Sequence, residues 1–283
     1  MKVLVTGSDG FLGRHAARRF TRDGHDVTGV DIKTGHDCRD VYASATRYDI
    51  VLHFAAVVGG RATIDNHPLT VAQSLALDAA LFDYAVRTKP AHVLYPSSSA
   101  AYPVSLQRTD HHRRLRETDI NLATPALPDA MYGWVKLTGE QMAARARQCG
   151  ANIHVIRPMS GYGTDQDTTY PFGAFVERAR RKTDPFPIWG TGLQVRDWVH
   201  VDDITDTIAA AIDQDVPHPV NVGTGIPTDF LTLARLVSQA HGYRPRLDPQ
   251  PTQPTGVAWR VADITNQIHT PRVDLLDGIN RTR

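Results

Sequence analysis

A chain of 283 residues with a formal net charge of +1 has no general electrostatic attraction for nucleic acid or for an anionic membrane surface. Its 41% hydrophobic and 22% charged content suit an ordinary buried core, in one large domain or two smaller ones. Two cysteines, Cys38 and Cys149, exclude a disulfide scaffold and suit a reducing cytosol. No apolar run approaches the roughly 20 residues needed to cross a bilayer. The N-terminus enters a strand without a signal-peptide pattern, so the expectation is a cytoplasmic protein with no membrane partner. No repeat, low-complexity tract or metal-like cysteine cluster is visible, and no metal site is expected.

The first predicted strand is the apolar run Val3 to Val5. It enters a loop carrying Gly7, Gly10 and Gly13, and a helix pattern follows from Arg14 to Asp23. Strand, glycine loop and helix together form a phosphate site. The glycines permit a tight turn, close approach of a pyrophosphate and close helix packing, and the helix start offers free N–H groups. The spacing is G-x-x-G-x-x-G, and alone it also fits an ordinary strand-to-helix turn. His25 to Ile32 reads as the second strand and ends on Asp31. A carboxylate there accepts hydrogen bonds from a ribose diol and repels a 2′-phosphate, which favours NAD over NADP. Lys33 weakens that preference slightly, and a strand-end turn is the other role open to Asp31.

Further strands are expected at Asp49 to Ala55, His92 to Pro96 and Asn152 to Ile156. They are separated by helices at Thr70 to Arg87 and Tyr132 to Gln148. Continuous apolar strands alternating with helices indicate a parallel sheet covered on both faces. The predicted fold is α/β: a doubly wound parallel (Rossmann) sheet with a smaller, mixed C-terminal substrate-binding cap. The expected division is 1–160 plus about 196–222 for the dinucleotide-binding part, and 161–195 with 223–283 for the cap. The basic run from Gln107 to Glu117 reads as a solvated loop, with a mobile lid the other possibility. The proline-rich last third holds one helix, Phe230 to His241.

Tyr132 and Lys136 stand four apart at a helix start and share a face. An ammonium beside a phenol lowers the phenol's pKa and makes tyrosine usable as a base near neutral pH. Such a pair also occurs by chance on helix surfaces. Ser97, Ser98 and Ser99 follow the fourth strand, where a hydroxyl can bond a substrate oxygen or serve a turn.

The sequence resembles the extended short-chain dehydrogenase/reductases, the NAD-dependent nucleotide-sugar epimerases and dehydratases. The motifs that carry the resemblance are TGSDGFLG (6–13), VDI (30–32), HDCRD (36–40), HFAA (53–56), PSSSAAYP (96–103), YGWVK (132–136), IRPMSGYG (156–163) and VRDWVHVDD (195–203), all in the family's order. By resemblance Tyr132 is the active-site base, Lys136 its partner and a ligand of the nicotinamide ribose, and Ser98 the catalytic hydroxyl with Ser99 the alternative. Gly7, Gly10, Phe11, Leu12 and Gly13 match the pyrophosphate loop, Asp31 the ribose acid and Asp37 the acid near the adenine. Cys38, Phe54, Ala55, Ala56 and Pro158 match other positions along NAD. Arg196, Ser160, Arg260 and Asp263 match substrate positions, Arg196 facing the diphosphate; its other option is to pair with Asp197.

Departures from the family pattern narrow the implied reaction. Ser99 and Ala100 stand where dehydratases carry an Asp-Glu pair. Ala100 also replaces the glutamate of the decarboxylases and the cysteine of GDP-fucose synthases and GDP-mannose 3,5-epimerases. What remains needs tyrosine, serine and NAD alone, and that is epimerisation at C4 of a nucleotide sugar. The alternatives are an NAD(P)H-dependent 4-keto nucleotide-sugar reductase and a non-catalytic dinucleotide sensor. The family also implies a homodimer.

Overall fold

The computed structural model describes residues 1–110 and 112–283. Four strands of the first half and two later strands form a parallel sheet. They are β1 (Lys2–Thr6), β2 (Asp26–Val30), β3 (Ile50–His53), β4 (His92–Pro96), β5 (Ile153–Pro158) and, later in the chain, β9 (Val220–Val222). The order is β2-β1-β3-β4-β5-β9, and every neighbouring pair is parallel. Residues 31–49 hold only a short turn and the helix α2 (Cys38–Ala43). That stretch is too short for a further strand and its crossover, so β2 forms the edge. The strand order therefore reverses between β1 and β3, the place where doubly wound sheets bind ligands.

Alternation along the strands explains the two cores. Val3, Val5, Ile50 and Leu52 face one side, packed with Ala16 and Phe20 of α1 (Phe11–Arg22) and Ile204, Ile208 and Ile212 of α8 (Val201–Asp213). Leu4 and Val51 face the other side. There they meet Leu81, Phe82 and Tyr84 of α5 (Ser74–Thr88) and Ala143 and Ala146 of α6 (Ala130–Gln148). Strands buried on both faces read as continuous apolar runs for this reason.

The helix expected at 70–87 is two helices, α4 (Pro68–Ala72) and α5, divided at Gln73; α3 (Arg61–Asn66) precedes them. The stretch Pro68–Thr88 is long and apolar enough by composition to cross a membrane, with a mean hydropathy of 1.2 over 18 of its residues. This corrects the expectation that no such run exists. Here Leu81, Phe82, Tyr84 and Ala85 pack against the sheet, and Asp78 is buried within the stretch.

Between β5 and the end of the chain lie β6 (Ser160–Tyr162), α7 (Pro171–Arg180), β7 (Phe186–Trp189), β8 (Val195–His200), β10 (Pro227–Asp229), α9 (Phe230–Ala240), β11 (Leu247–Gln250), β12 (Trp259–Arg260) and α10 (Leu275–Asn280). Strands β10, β8 and β12 are neighbours, β6 joins β8, and β7 pairs with β11. A third core gathers Tyr162, Phe172, Phe175, Phe186, Trp198, Phe230 and Leu233. The segment expected at 196–222 in the dinucleotide part is thus divided. Its first residues, in β8, centre the second sheet, while α8 and β9 join the first.

Of the basic run 107–117, position 111 lies outside the described residues. The described part is a strap that is solvated over most of its length, as expected, with Arg108, Thr109, Arg113, Arg114 and Arg116 exposed. Leu115 is fully buried. Its N–H donates to Val261 O at 2.8 Å, and its carbonyl accepts from the Asp263 N–H at 2.8 Å. An apolar residue inside a charged run gives the strap its anchor.

One buried ion pair joins α6 to the sheet. Glu140 and Arg157 meet at 2.6 Å, with side chains 1% and 2% exposed. Glu140 Oε1 also accepts from Ser97 Oγ at 2.5 Å and Arg157 Nε at 2.9 Å. Arg157 Nη1 donates to Glu117 O at 2.8 Å and to the Tyr102 hydroxyl at 3.2 Å. Removing one partner of such a pair strands a buried charge. Glu140→Gln is therefore expected to cost about 3–5 kcal/mol of stability, read by chemical denaturation; a loss near zero would mean the pair is dispensable.

Candidate functional site

A cleft of about 1600 Å3 runs along the carboxyl ends of β1, β3, β4 and β5. Its volume exceeds the roughly 300–1,000 Å3 of a single small-ligand pocket, so it has room for two ligands. Gly7, Gly10, Phe11, Leu12 and Gly13 line it where the chain enters α1. Gly7 has φ +69°, and a Cβ there would sit 2.5 Å from the backbone of Phe54. The loops after β1 and β3 touch at this point, so a side chain is excluded twice over. The start of α1 carries no side-chain cap, which leaves backbone N–H groups available to an anion.

Asp31 also lines the cleft and is buried. Its carboxylate accepts from the N–H groups of Asp9 and Lys33, each at 2.9 Å. Those bonds fix its orientation and leave lone pairs for a diol. Asp37 accepts from the Arg39 N–H at 2.9 Å and pairs with its guanidinium at 2.5 Å. That pairing holds its carboxyl below the ordinary range. Burial pushes the neighbouring Cys38 thiol up to about 11. Phe54, Ala55, Ala56 and Pro158 line the same cleft.

Tyr132 and Lys136 come from the first turns of α6, and both face the cleft. Lys136 is 5% exposed. Its Nζ donates to Pro96 O at 2.8 Å and lies 5.9 Å from the Tyr132 ring and 5.1 Å from the Tyr95 ring. Below it, Asp78 accepts from Tyr95 at 2.8 Å and meets His53 Nε2 at 3.2 Å. Burial alone would raise the Asp78 carboxyl, but His53, Lys136 and Tyr95 together hold it low.

The helix start fits tightly against the serine turn: a Cβ on Gly133 would lie 2.4 Å from Ala100 O. The three serines then divide. Ser97 is occupied by Glu140. Ser98 accepts from the Ala100 N–H at 3.1 Å and stays partly open. Ser99 is buried, and both Ser98 and Ser99 line the cleft.

Three guanidiniums meet at another part of the cleft. Arg61 Nη1 and Arg260 Nη2 share Asp129, at 2.8 and 2.7 Å. Asp129 precedes α6 but caps nothing with its side chain; its carboxylate is spent on these two arginines. Among the described residues Arg196 bonds only carbonyls, Val195 O at 2.8 Å and Thr255 O at 3.1 Å. It does not pair with Asp197, whose carboxylate accepts from Thr224, Gly225 and Ala262 on the other side of β8. Burial, with Arg260 and Arg61 nearby, pushes the Arg196 pKa down to about 9. Among the described residues Arg196 is thus left without a carboxylate partner, and an anion would supply one.

Ser160 lines the cleft, and Asp263 does not. Asp263 turns to Arg116 at 3.2 Å and accepts from the Thr265 N–H, so the expectation of a substrate contact there is corrected. The strap residues 107–117, among those described, do not line the cleft. Sequence reasoning missed Arg61, Asp129 and the buried Gln194 and Trp198. Gln194 Oε1 and Trp198 Nε1 have no partner among the described residues, and both residues line the cleft. Arg61 directly follows the Val57–Gly60 run, the one local signal that could have found it.

A family model described as the NAD dependent epimerase/dehydratase family matches residues 3–223. GDP-mannose 3,5-epimerase 1 of Oryza sativa subsp. indica is 26% identical, the alignment covering 100% of this chain and 80% of that protein. The structure of the Thermus thermophilus UDP-glucose 4-epimerase in complex with NAD is similar at a TM-score of 0.84 and 21% identity, covering 100% and 97%. That of the Thermotoga maritima UDP-glucose 4-epimerase with UDP-glucose is similar at 0.83 and 23%, covering 100% and 97%. At these identities the two structures show a shared fold.

Arg196 generates a prediction. Its native-state pKa lies below its unfolded one, so the charged form costs stability below about pH 9, and the cost fades as pH rises through that value. Arg196→Gln is expected to be no less stable than the parent when free of ligand. A nucleoside diphosphate is expected to raise the parent's Tm at pH 7 and not the variant's, measured by thermal unfolding. An equal shift in both would remove Arg196 from the anion site.

Proposed function

The chain belongs to the NAD dependent epimerase/dehydratase family, and on that premise we propose that it is an NAD-dependent epimerase of nucleotide-diphosphate sugars, acting at C4 through a 4-keto sugar. The observation that carries this reading is one continuous cleft. A phosphate-type glycine loop, a Tyr-Lys-Ser set and an arginine cluster short of one anion all line it.

The residues present fit NAD. Gly7, Gly10, Phe11, Leu12 and Gly13 would hold the pyrophosphate, Asp31 the adenosine ribose, and Asp37 and Cys38 the adenine region. Phe54, Ala55, Ala56 and Pro158 would flank the rest, with Lys136 at the nicotinamide ribose. Bound there, NAD supplies an acceptor and donor of hydride, so the sugar alcohol can become a ketone and return to an alcohol with no net redox change.

The protein's own part is orientation and proton handling. Tyr132 takes the proton of the C4 hydroxyl and later returns one. Ser98 bonds the same oxygen, with Ser99 beside it. Lys136 favours the charged phenol oxygen. Arg196 and Arg260 hold the diphosphate, leaving the sugar free to turn about that anchor, with Ser160 on the wall. Ala100 is 4% exposed and lines the cleft beside Ser99. Family members that dehydrate, decarboxylate or epimerise at C3 and C5 carry an acid or thiol there. Among the described lining residues the one cysteine is Cys38, which lies with Asp37. A carbon acid/base is therefore missing where those reactions need one.

The two-part division into a dinucleotide sheet and a substrate cap belongs to the same proposal. So does a homodimer through the α5 and α6 side. Leu69 on α4 and Trp134 on the adjacent α6 are 79% and 37% exposed. Light scattering at the 31.2 kDa of a single chain would contradict the dimer.

The deciding experiment offers the purified protein a panel of nucleotide sugars. The expected product has unchanged mass and altered configuration. Stoichiometric consumption of NADH or NADPH would make it a reductase. Absence of turnover, with NAD-dependent partner binding, would make it a sensor. Tyr132→Phe is expected to lower turnover by about 10²–10⁴-fold while keeping fold and NAD content; near-parental turnover would refute the assignment.

A further inference from the structure

The end of the six-stranded sheet away from the cleft carries a cluster that the proposed reaction does not use. His92 is the first residue of β4, His154 lies near the start of β5, and Asp215 follows α8. His154 Nδ1 is 2.9 Å from Val216 O. A carbonyl only accepts, so Nδ1 carries the proton and the neutral ring keeps its lone pair on Nε2. That lone pair lies 3.0 Å from His92 Nδ1. Asp215 Oδ1 is 3.7 Å from His92 Nδ1 and 3.8 Å from His154 Nε2.

A triangle with those three sides has a circumradius of about 2.05 Å. Zinc binds imidazole nitrogen at roughly 2.0–2.1 Å and carboxylate oxygen at roughly 2.0–2.2 Å. One cation can therefore touch all three donor atoms without moving any of them. A proton shared between the two imidazoles would account for the 3.0 Å contact but would leave the Asp215 oxygen beyond hydrogen-bond range of both rings. Supporting contacts of the kind that orient metal ligands are already made. Val216 O fixes the His154 tautomer, and Asn152 Nδ2 donates to Asp215 Oδ1 at 2.7 Å and to Ala91 O at 2.9 Å.

We propose that His92, His154 and Asp215 form a binding site for a zinc-class divalent cation, with its fourth position open to water. Two imidazoles and a carboxylate are the borderline donor set that such ions take. His154 is 1% exposed, His92 21% and Asp215 66%, so the ion would sit at the surface with one ligand rooted in the core. It would tie together the starts of β4 and β5 and the loop after α8, segments far apart in sequence. Its effect is therefore on stability rather than on the chemistry in the cleft. The other His-carboxylate cluster, Asp203, Asp206 and His269, is different. Asp203 already accepts from the N–H groups of Arg272 and Val273, and Asp206 pairs with Arg19.

The test uses the full chain, stripped of metal with a chelator and titrated with Zn²⁺ alone by calorimetry, with thermal unfolding in parallel. The expected result is one saturable equivalent and a rise in Tm of about 3 °C or more at saturation. His92→Ala and Asp215→Asn change partly exposed side chains and leave the core intact. Each is expected to lose the equivalent and the Tm rise while keeping the parental circular dichroism. His269→Gln is expected to keep both. Absence of a saturable equivalent in the parent, or its survival in His92→Ala and Asp215→Asn, would overturn the proposal.

Discussion

The buried pair of Glu140 and Arg157 sets the position of everything else in the proposed catalytic set. Tyr132, Lys136 and Glu140 are spaced four apart and share one face of α6. Glu140 is locked to β5 through Arg157 and to the end of β4 through Ser97. Lys136 is locked one residue earlier in the chain, to the carbonyl of Pro96. Two polar attachments one helical turn apart fix both the rotation and the height of the helix. Tyr132, one turn further on, is then carried to the Ser98–Ala100 turn, where Gly133 permits the close approach. Desolvating an ion pair is costly, and it is tolerable here because each charged group is also hydrogen-bonded by other partners.

The second constraint is topological. The chain reverses its strand order between β1 and β3, and the loops leaving those strands touch at Gly7 and Phe54. That contact makes the floor of the cleft where the proposed dinucleotide site lies. The three arginines in the same cleft are the proposed anion site, with Asp129 shared by two of them and Arg196 bonded to carbonyls. The electrostatic deficit and the glycine loop are separate physical observations, and both call for phosphate.

Much of this was legible in the residues themselves. The inner strands β1 and β3 announced themselves as apolar runs because both of their faces are covered, whereas the edge strand β2 is largely exposed. The glycine loop, Asp31 and the Tyr-x-x-x-Lys pair could be read because each needs a particular residue type at a fixed spacing. What stayed hidden depended on partners far away in sequence. An aspartate before a helix reads as a cap, and nothing local shows that Asp129 instead faces Arg61 and Arg260. Arg196 and Asp197 are adjacent in sequence yet lie on opposite sides of β8. Asp263 fell outside the cleft because the short β12 ends before it and the chain turns to meet the strap. The strap reads as a solvated loop and is one over most of its length; its anchor at Leu115 stayed hidden, since one buried leucine among many charges carries little pattern.

The central claim is that a phenol, a hydroxyl and a hydride carrier suffice, with no group to take a proton from carbon. It is tested most directly by running turnover in ²H₂O and reading the product sugar by NMR and mass spectrometry. The account predicts inversion at C4 with no deuterium bound to carbon, because the hydrogen leaves C4 as hydride and returns without meeting solvent. Deuterium at C3 or C5 would contradict it, since placing it there requires a carbon acid/base beside Ser99, where this chain has Ala100.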